Sequence, residues 1–185
     1  MRIITGKLKG RKIPVPDSGE LRPTADRTKE GLFAVIDSRR YFDGTNVLDL
    51  FAGSGNLGLE AISRGTAHVL FVDSNPEHLK HIEKLSKAFK VDNQISTAAF
   101  PAEEYLQKNP VPFDLIFCDP PYDYAYMNEM LEIILTKGWL DPDGWFILEH
   151  DKRHDFKNHT NCFYTKPYGR TIVSIFQMQP VDSDN

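Results

Sequence analysis

Val47-Leu48-Asp49-Leu50-Phe51-Ala52-Gly53-Ser54-Gly55-Asn56-Leu57-Gly58 decides how the chain is read. An apolar run carrying one acid leads into three spaced glycines and then the start of an apolar helix. This is the pattern of a strand–turn–helix junction, where glycine lets the backbone turn tightly and approach a ligand. Outward from it the same unit recurs. Ala67-His68-Val69-Leu70-Phe71-Val72-Asp73 reads as a second strand, again closed by an acid. Residues 76–90 follow as a helix with Pro76 in its first turn and Leu79, Ile82, Leu85 and Phe89 at helical spacing. A short strand is predicted near 94–98 and a short helix near 102–107. Residues 113–119 form a run apolar enough to be buried on both faces. Met127, Met130, Leu131, Ile134 and Leu135 mark another helix, and 144–149 another strand.

The ends depart from this alternation. Residues 161–166 and 171–178, around Tyr168-Gly169, read as an antiparallel hairpin. At the start, residues 2–5 and 11–15 form a second hairpin across a glycine-bounded turn, and Pro14, Pro16 and Gly19 end it. Thr24 then caps a helix reaching about residue 39, with Leu32, Val35 and Ile36 as its apolar stripe. Repeated βα units imply an α/β fold, a parallel sheet covered by helices on both faces, with the tail supplying an antiparallel strand. The expected division is a hairpin arm over 1–22, a main domain over 23–180 and a disordered tail over 181–185.

The length, 185 residues, suits one such domain. No apolar run approaches the ~20 residues a bilayer span needs, and the N-terminus lacks a secretory apolar region. The two cysteines, Cys118 and Cys162, form no metal or disulfide pattern, and a reducing cytoplasm is inferred. The net charge of −4 argues mildly against a general nucleic-acid binder. Its distribution argues the other way. Residues 1–40 carry ten Lys/Arg against five Asp/Glu, and the remainder is strongly acidic. Arg2, Lys7, Lys9, Arg11 and Lys12 stand together with no acid among them, an arm suited to a polyanion. A solvated charged hairpin is the plain alternative.

The glycine loop and Asp73 lie beyond the carboxyl ends of adjacent strands, where α/β sheets bind ligands. A carboxylate at position 73 can accept both hydroxyls of a ribose. Gly53-x-Gly55-x-x-Gly58 also matches the dinucleotide fingerprint, so an NAD-binding oxidoreductase stays open here. Asp49, just before the loop, would repel a pyrophosphate but suits the ammonium and sulfonium of S-adenosylmethionine. Asp119-Pro120-Pro121-Tyr122 follows the buried strand directly. The prolines fix φ and leave carbonyls as acceptors. Asp119 and the Pro120 carbonyl can grip the two N–H bonds of an exocyclic amine, whose lone pair is otherwise delocalised into its base. Tyr122 can stack on that base, and the methyl group passes in line to nitrogen. No metal is called for. The six histidines show no ligand cluster, and His78 and His81 read as solvated helix positions. Glu149-His150-Asp151 has no accompanying nucleophile and reads as a strand end.

These residues resemble the amino-methylating branch of the class I methyltransferases, with its Asp/Asn-Pro-Pro-aromatic motif. Arg2-Ile3-Ile4-Thr5-Gly6, Lys9-Gly10-Arg11, the stretch from Arg22-Pro23-Thr24-Ala25-Asp26-Arg27 to Phe33, and Lys166-Pro167-Tyr168-Gly169-Arg170-Thr171 are similar to the bacterial small-subunit ribosomal RNA guanine-N2 methyltransferases. The resemblance spans nearly the whole chain. It implies a Rossmann-like, seven-stranded sheet, S-adenosylmethionine as donor, and a guanine N2 acceptor in 16S ribosomal RNA within a small-subunit particle. A cytoplasmic monomer is expected. The implied cofactor residues are Asp49, Phe51, Gly53, Ser54 and Gly55 from the loop, Asp73 and Ser74 after the second strand, and Phe100 and Asp119. Arg2, Lys7, Lys9, Arg11, Lys12, Arg22, Thr24 and Arg27, with Pro121 and Tyr122, are the implied RNA contacts. Tyr168 is expected to pack rather than stack. Two positions depart from the family: Lys29 stands where Arg is common, and Phe100 where Asp often begins an adenine-contacting turn. The same motif serves adenine-N6 and protein-glutamine methyltransferases, and a non-catalytic RNA-binding assembly factor is a further alternative.

Overall fold

Seven strands form one sheet in the order β3-β2-β1-β4-β5-β7-β6. The structure is a computed structural model and describes residues 1–14 and 23–179. The strands are β1 (Asn46–Leu50), β2 (His68–Asp73), β3 (Ile95–Ala99), β4 (Phe113–Cys118), β5 (Leu140–His150), β6 (Cys162–Tyr168) and β7 (Thr171–Phe176). The first five run parallel, and β7 is antiparallel to both β5 and β6. The helices are α1 (Pro23–Asp37), α2 (Asn56–Ser63), α3 (Pro76–Phe89), α4 (Ala102–Tyr105) and α5 (Met127–Thr136). This is the expected Rossmann-like α/β architecture. The departures are local. β5 begins at Leu140, four residues before the apolar run, because Asp141-Pro142-Asp143 extends the strand across an irregularity in its pairing with β4.

Side-chain alternation divides the sheet into two faces. Val47, Val69, Phe71, Leu115, Phe117, Ile147 and Val173 face a core built with α1, α2 and α3. Leu48, Leu50, Val72, Ile116, Cys118 and Leu148 face a second core under α4 and α5. α3 shows why such a helix forms and where it stops. Asn75 caps it by accepting the Glu77 N–H, Pro76 sits at its first position, and Lys90 ends it in the left-handed conformation. Its Leu79 and Ile82 are buried, and burial of each stabilises the packing by about 1.5–3 kcal/mol.

The N-terminal segment is less of an appendage than the charge pattern predicts. Among the described residues the hairpin consists of the antiparallel bridge Arg2 to Lys12, flanked by the Ile3 N–H donating to the Arg11 carbonyl and the Ile13 N–H to the Met1 carbonyl, each at 2.9 Å. Ile3, Leu8 and Ile13 are buried in the first core. The Ile4 and Thr5 N–H groups donate to the Glu60 carboxylate at 2.8 and 3.1 Å. Glu60 is fully buried and also meets Lys29 at 3.0 Å and Arg64 at 3.0 Å. α1 begins at Pro23, so Thr24 lies in the first turn instead of capping it. The proposed tail over 181–185 lies outside the described residues. Tyr168 packs as expected. A β-carbon added at Gly31 of α1 would lie 2.2 Å from its ring, so the helix approaches that ring closely only because residue 31 has no side chain.

Candidate active site

β1, β2, β4 and β5 are parallel neighbours and end at one edge of the sheet. Alternation puts Asp49 on the same face as Val47, Asp73 on that of Phe71, Asp119 on that of Phe117 and Glu149 on that of Ile147. Four acids from four strands therefore meet at the carboxyl edge on one face.

The glycine loop leaves β1 through Phe51, whose φ is +57°, and turns at Gly53 and Gly55 with φ of +53° and +74°. Only glycine takes such angles without strain. A β-carbon at Gly53 would meet nothing nearer than 3.8 Å, so the loop borders open space there. At Gly58 it would lie 2.3 Å from Phe71 and 2.9 Å from Asp49, so this glycine serves helix–sheet packing instead. Ser54 is half-buried in the loop, and Phe51 meets Tyr124 edge-on with ring centroids 5.0 Å apart. Asp49 is 2% exposed and accepts the Gly58 N–H at 2.9 Å. Asp73 accepts the Gly53 N–H at 2.8 Å and the Asn75 N–H at 2.8 Å, which ties the loop to the end of β2. His78 adds a contact to Asp73 at 3.1 Å, and His81 reaches the Pro14 carbonyl at 2.9 Å, so neither is merely solvated. Ser74 is exposed beside Asp73, and Phe100 donates its N–H to the Asp73 carbonyl at 3.1 Å.

After β4, Pro120 is buried while Asp119, Pro121 and Tyr122 are exposed. The Pro121 carbonyl accepts the Tyr124 N–H at 3.0 Å, which leaves the Pro120 carbonyl for a ligand. The Tyr122 hydroxyl meets the Thr171 hydroxyl at 3.0 Å, so β7 steers the ring, a partner the linear motif does not reveal.

The acids act on one another. Asp49 is pushed well above its ordinary 3.8 by burial, then by Asp119 and Asp73, with the Gly58 N–H opposing. Glu149 is raised by burial, then by Asp119 and Asp49. Such a cluster calls for a cation. The donor set, the open space beside Gly53 and the ribose-type acid at 73 all fit S-adenosylmethionine, whose ammonium and sulfonium are positive. Below the raised pKa the folded protein keeps a proton on Asp49 that the unfolded chain has lost. The unliganded fold therefore loses stability as pH climbs from about 4 through that value. Asp49→Asn retains an acceptor for Gly58 and removes this loss. It should raise the unliganded melting temperature at pH 8 by several degrees, about 1–2 kcal/mol, with no gain at pH 4. Cofactor affinity should drop roughly 10- to 100-fold. Calorimetry with and without cofactor checks both halves.

The basic residues do not converge. Lys7 bonds Gln94 at 2.6 Å beside the start of β3, at the edge opposite the crevice. Lys9 shares that turn, and the Arg11 guanidinium lies 5.7 Å from the Phe89 ring near the end of α3. Arg2 and Lys12 are exposed at the bridge, and the Arg2 carbonyl accepts from Lys29, which also holds Asn56 at the crevice end of α2. Arg27 is exposed on α1, Thr24 is placed only by its backbone, and Arg22 lies outside the described residues. A cavity of about 470 Å³ between α4 and α5, lined by Leu106, Tyr126, Met130 and Ile133, opens on the other face of the sheet and is separate from the crevice. Among the described residues no three side chains are grouped to hold a metal, and no helix is long and apolar enough to cross a membrane.

Residues 1–177 match the model of the family described as conserved hypothetical protein 95. The ribosomal RNA small subunit methyltransferase D of Haemophilus influenzae is 33% identical over 178 residues, covering 94% of this chain and 91% of that one. The chain belongs to this methyltransferase D family. YlbH of Bacillus subtilis is similar, at 34% identity over 96% of this chain and 98% of its own. Among solved structures, yhhF of Escherichia coli superposes with a TM-score of 0.84 at 28% identity, covering 97% of this chain and 99% of that one. The methyltransferase D family is thus matched along its length by sequence and by class I methyltransferase fold.

Proposed function

We propose that the protein transfers a methyl group from S-adenosylmethionine to the exocyclic N2 amine of a guanine in 16S ribosomal RNA. The observation that carries this reading is the placement of Asp119-Pro120-Pro121-Tyr122 at the end of β4, beside the acid-lined glycine loop of β1. The names of the family's relatives support ribosomal RNA as acceptor. When bound, the cofactor supplies a methyl group on a positively charged sulfur that departs as a neutral thioether. Asp49 neutralises the cofactor's positive end, and Asp73 accepts at its ribose. Asp119 and the Pro120 carbonyl accept the two amine N–H bonds, freeing the nitrogen lone pair for in-line attack. Tyr122, steered through Thr171, stacks on the base. The proton leaves after transfer, to Asp119 or water. The protein acts as a cytoplasmic monomer on the small-subunit particle, with its basic N-terminal segment and α1 meeting phosphate.

The test uses labelled S-adenosylmethionine and small ribosomal subunits from cells lacking this protein, with nucleosides identified by mass after digestion. N2-methylguanosine is the expected product. Label in N6-methyladenosine, in protein or in nothing would overturn the reading.

A further inference from the structure

The Glu149 carboxylate makes no hydrogen bond or ion pair among the described residues, although burial and its acidic neighbours push it well above the ordinary range. A half-buried carboxylate among other acids and without a donor is costly, and such groups are normally satisfied. Its position says what would satisfy it. β4 and β5 are in parallel register with Cys118 opposite Leu148, and Asp119, the residue just after β4, comes near enough to Glu149 to act on its carboxyl. The sheet order β2-β1-β4-β5 lays out the site in sequence. The cofactor acids lie on β2 and β1, the amine-gripping motif on β4, and Glu149 beyond it, away from the cofactor. A donor supplied to Glu149 therefore comes from the acceptor base. In guanine the atom next to the N2 amine on the Watson–Crick edge is N1, which carries a proton. In 2-aminopurine and adenine the N1 atom bears a lone pair instead.

We infer that Glu149 accepts the N1–H of the target guanine while Asp119 grips its N2 amine, so that the neighbouring carboxylates on β4 and β5 select guanine over bases with an unprotonated N1. This rests on the guanine-N2 reading above. His150, which follows, turns to the other face and bonds Ser174 at 2.8 Å, so it takes no part.

The experiment compares the full-length protein with Glu149→Gln and Glu149→Asp on small subunits reconstituted with guanosine or 2-aminopurine riboside at the position the wild type methylates. Wild type should favour guanosine. Glu149→Gln, whose amide can donate to an unprotonated N1, should lose roughly 10- to 100-fold in kcat/KM on guanosine and none on 2-aminopurine. Glu149→Asp should restore part of the guanosine rate. Cofactor affinity, measured by calorimetry, should stay within about threefold in all three proteins. Parallel loss on both bases, or a fall in cofactor affinity matching the fall in rate, overturns the inference and makes Glu149 a structural or cofactor residue. Unchanged activity in Glu149→Gln overturns it as well. If wild type modifies a base other than guanine, the guanine-N2 reading fails first, and that result is visible in the wild-type product alone.

Discussion

Asp119→Ala should lower kcat/KM for methyl transfer about 10³-fold while leaving cofactor affinity within about threefold. The amine's lone pair is delocalised into its ring, and the nitrogen attacks only if its N–H bonds are held as it becomes tetrahedral. Of the acceptors after β4, the Pro121 carbonyl is already taken by the Tyr124 N–H. The proposed grip falls to Asp119 and the Pro120 carbonyl, and the amine loses one of its two acceptors once the Asp119 carboxylate is removed. The cofactor's own partners lie on β1 and β2, so its affinity should barely change. Removing Asp119 also relieves Asp49 and Glu149 of a like charge. Asp119→Asn keeps one acceptor oxygen and should fall between, roughly 10- to 30-fold down. Single-turnover transfer and equilibrium cofactor titration separate the two quantities. Equal loss of both would mean that Asp119 shapes the crevice without touching the amine.

Asp49, Asp73 and Asp119 were legible in the sequence because each sits at or just after an apolar run in a βα unit. In a parallel sheet all such positions reach the same edge, whatever the strand order. Glu149 obeys the same rule, yet it was hidden by its neighbours. Glu149-His150-Asp151 looks like part of a hydrolytic triad without a nucleophile, and nothing in that tripeptide separates the glutamate from the histidine. Its actual relation, to Asp119 across β4 and β5, depends on strand adjacency, and local sequence does not encode which strands pair. The steering of Tyr122 by Thr171 is invisible for the same reason, being a contact between residues 49 positions apart. His78 was missed because a polar residue in a helix's first turn looks solvated until the strand before it supplies the acid it faces.

The basic N-terminus shows a different limit. Clustered charge predicts an arm, but charge along a chain carries no direction. Its apolar residues Ile3, Leu8 and Ile13 are spaced five apart, which matches neither a strand nor a helix. They fit a segment that crosses α2 and pins itself through backbone N–H groups. That pinning sends Lys7 toward the start of β3 and ties the Arg2 carbonyl through Lys29 to Asn56.

Glu60→Ala should destabilise the fold by about 3–5 kcal/mol, a drop of roughly 6–20 °C in melting temperature for a domain of this size. Glu60 has no exposed surface and joins three parts of the molecule. It accepts from Ile4 and Thr5 of the N-terminal segment, pairs with Lys29 of α1, and pairs with Arg64 just after α2. Removing it takes the Glu60 carboxylate away from the Lys29 ammonium, 1% exposed, and strands two backbone donors. Arg64 is less affected because Asp37 also pairs with it. Lys29 fills its place although the family commonly has Arg there. Its ammonium meets the Arg2 carbonyl at 2.8 Å, Asn56 at 2.7 Å and Glu60 at 3.0 Å. Adding Lys29→Met to Glu60→Ala should therefore cost less than the two single losses added together, by about 1–3 kcal/mol. Denaturant unfolding of the four proteins measures that coupling, and hydrogen exchange should show protection lost first at the Ile4 and Thr5 amides. Strict additivity, or a loss under about 1 kcal/mol for Glu60→Ala, would mean that water already satisfies these groups. Because Asn56 opens α2 immediately after Gly55, the same variant should weaken cofactor binding although Glu60 lies a full helical turn away from the crevice.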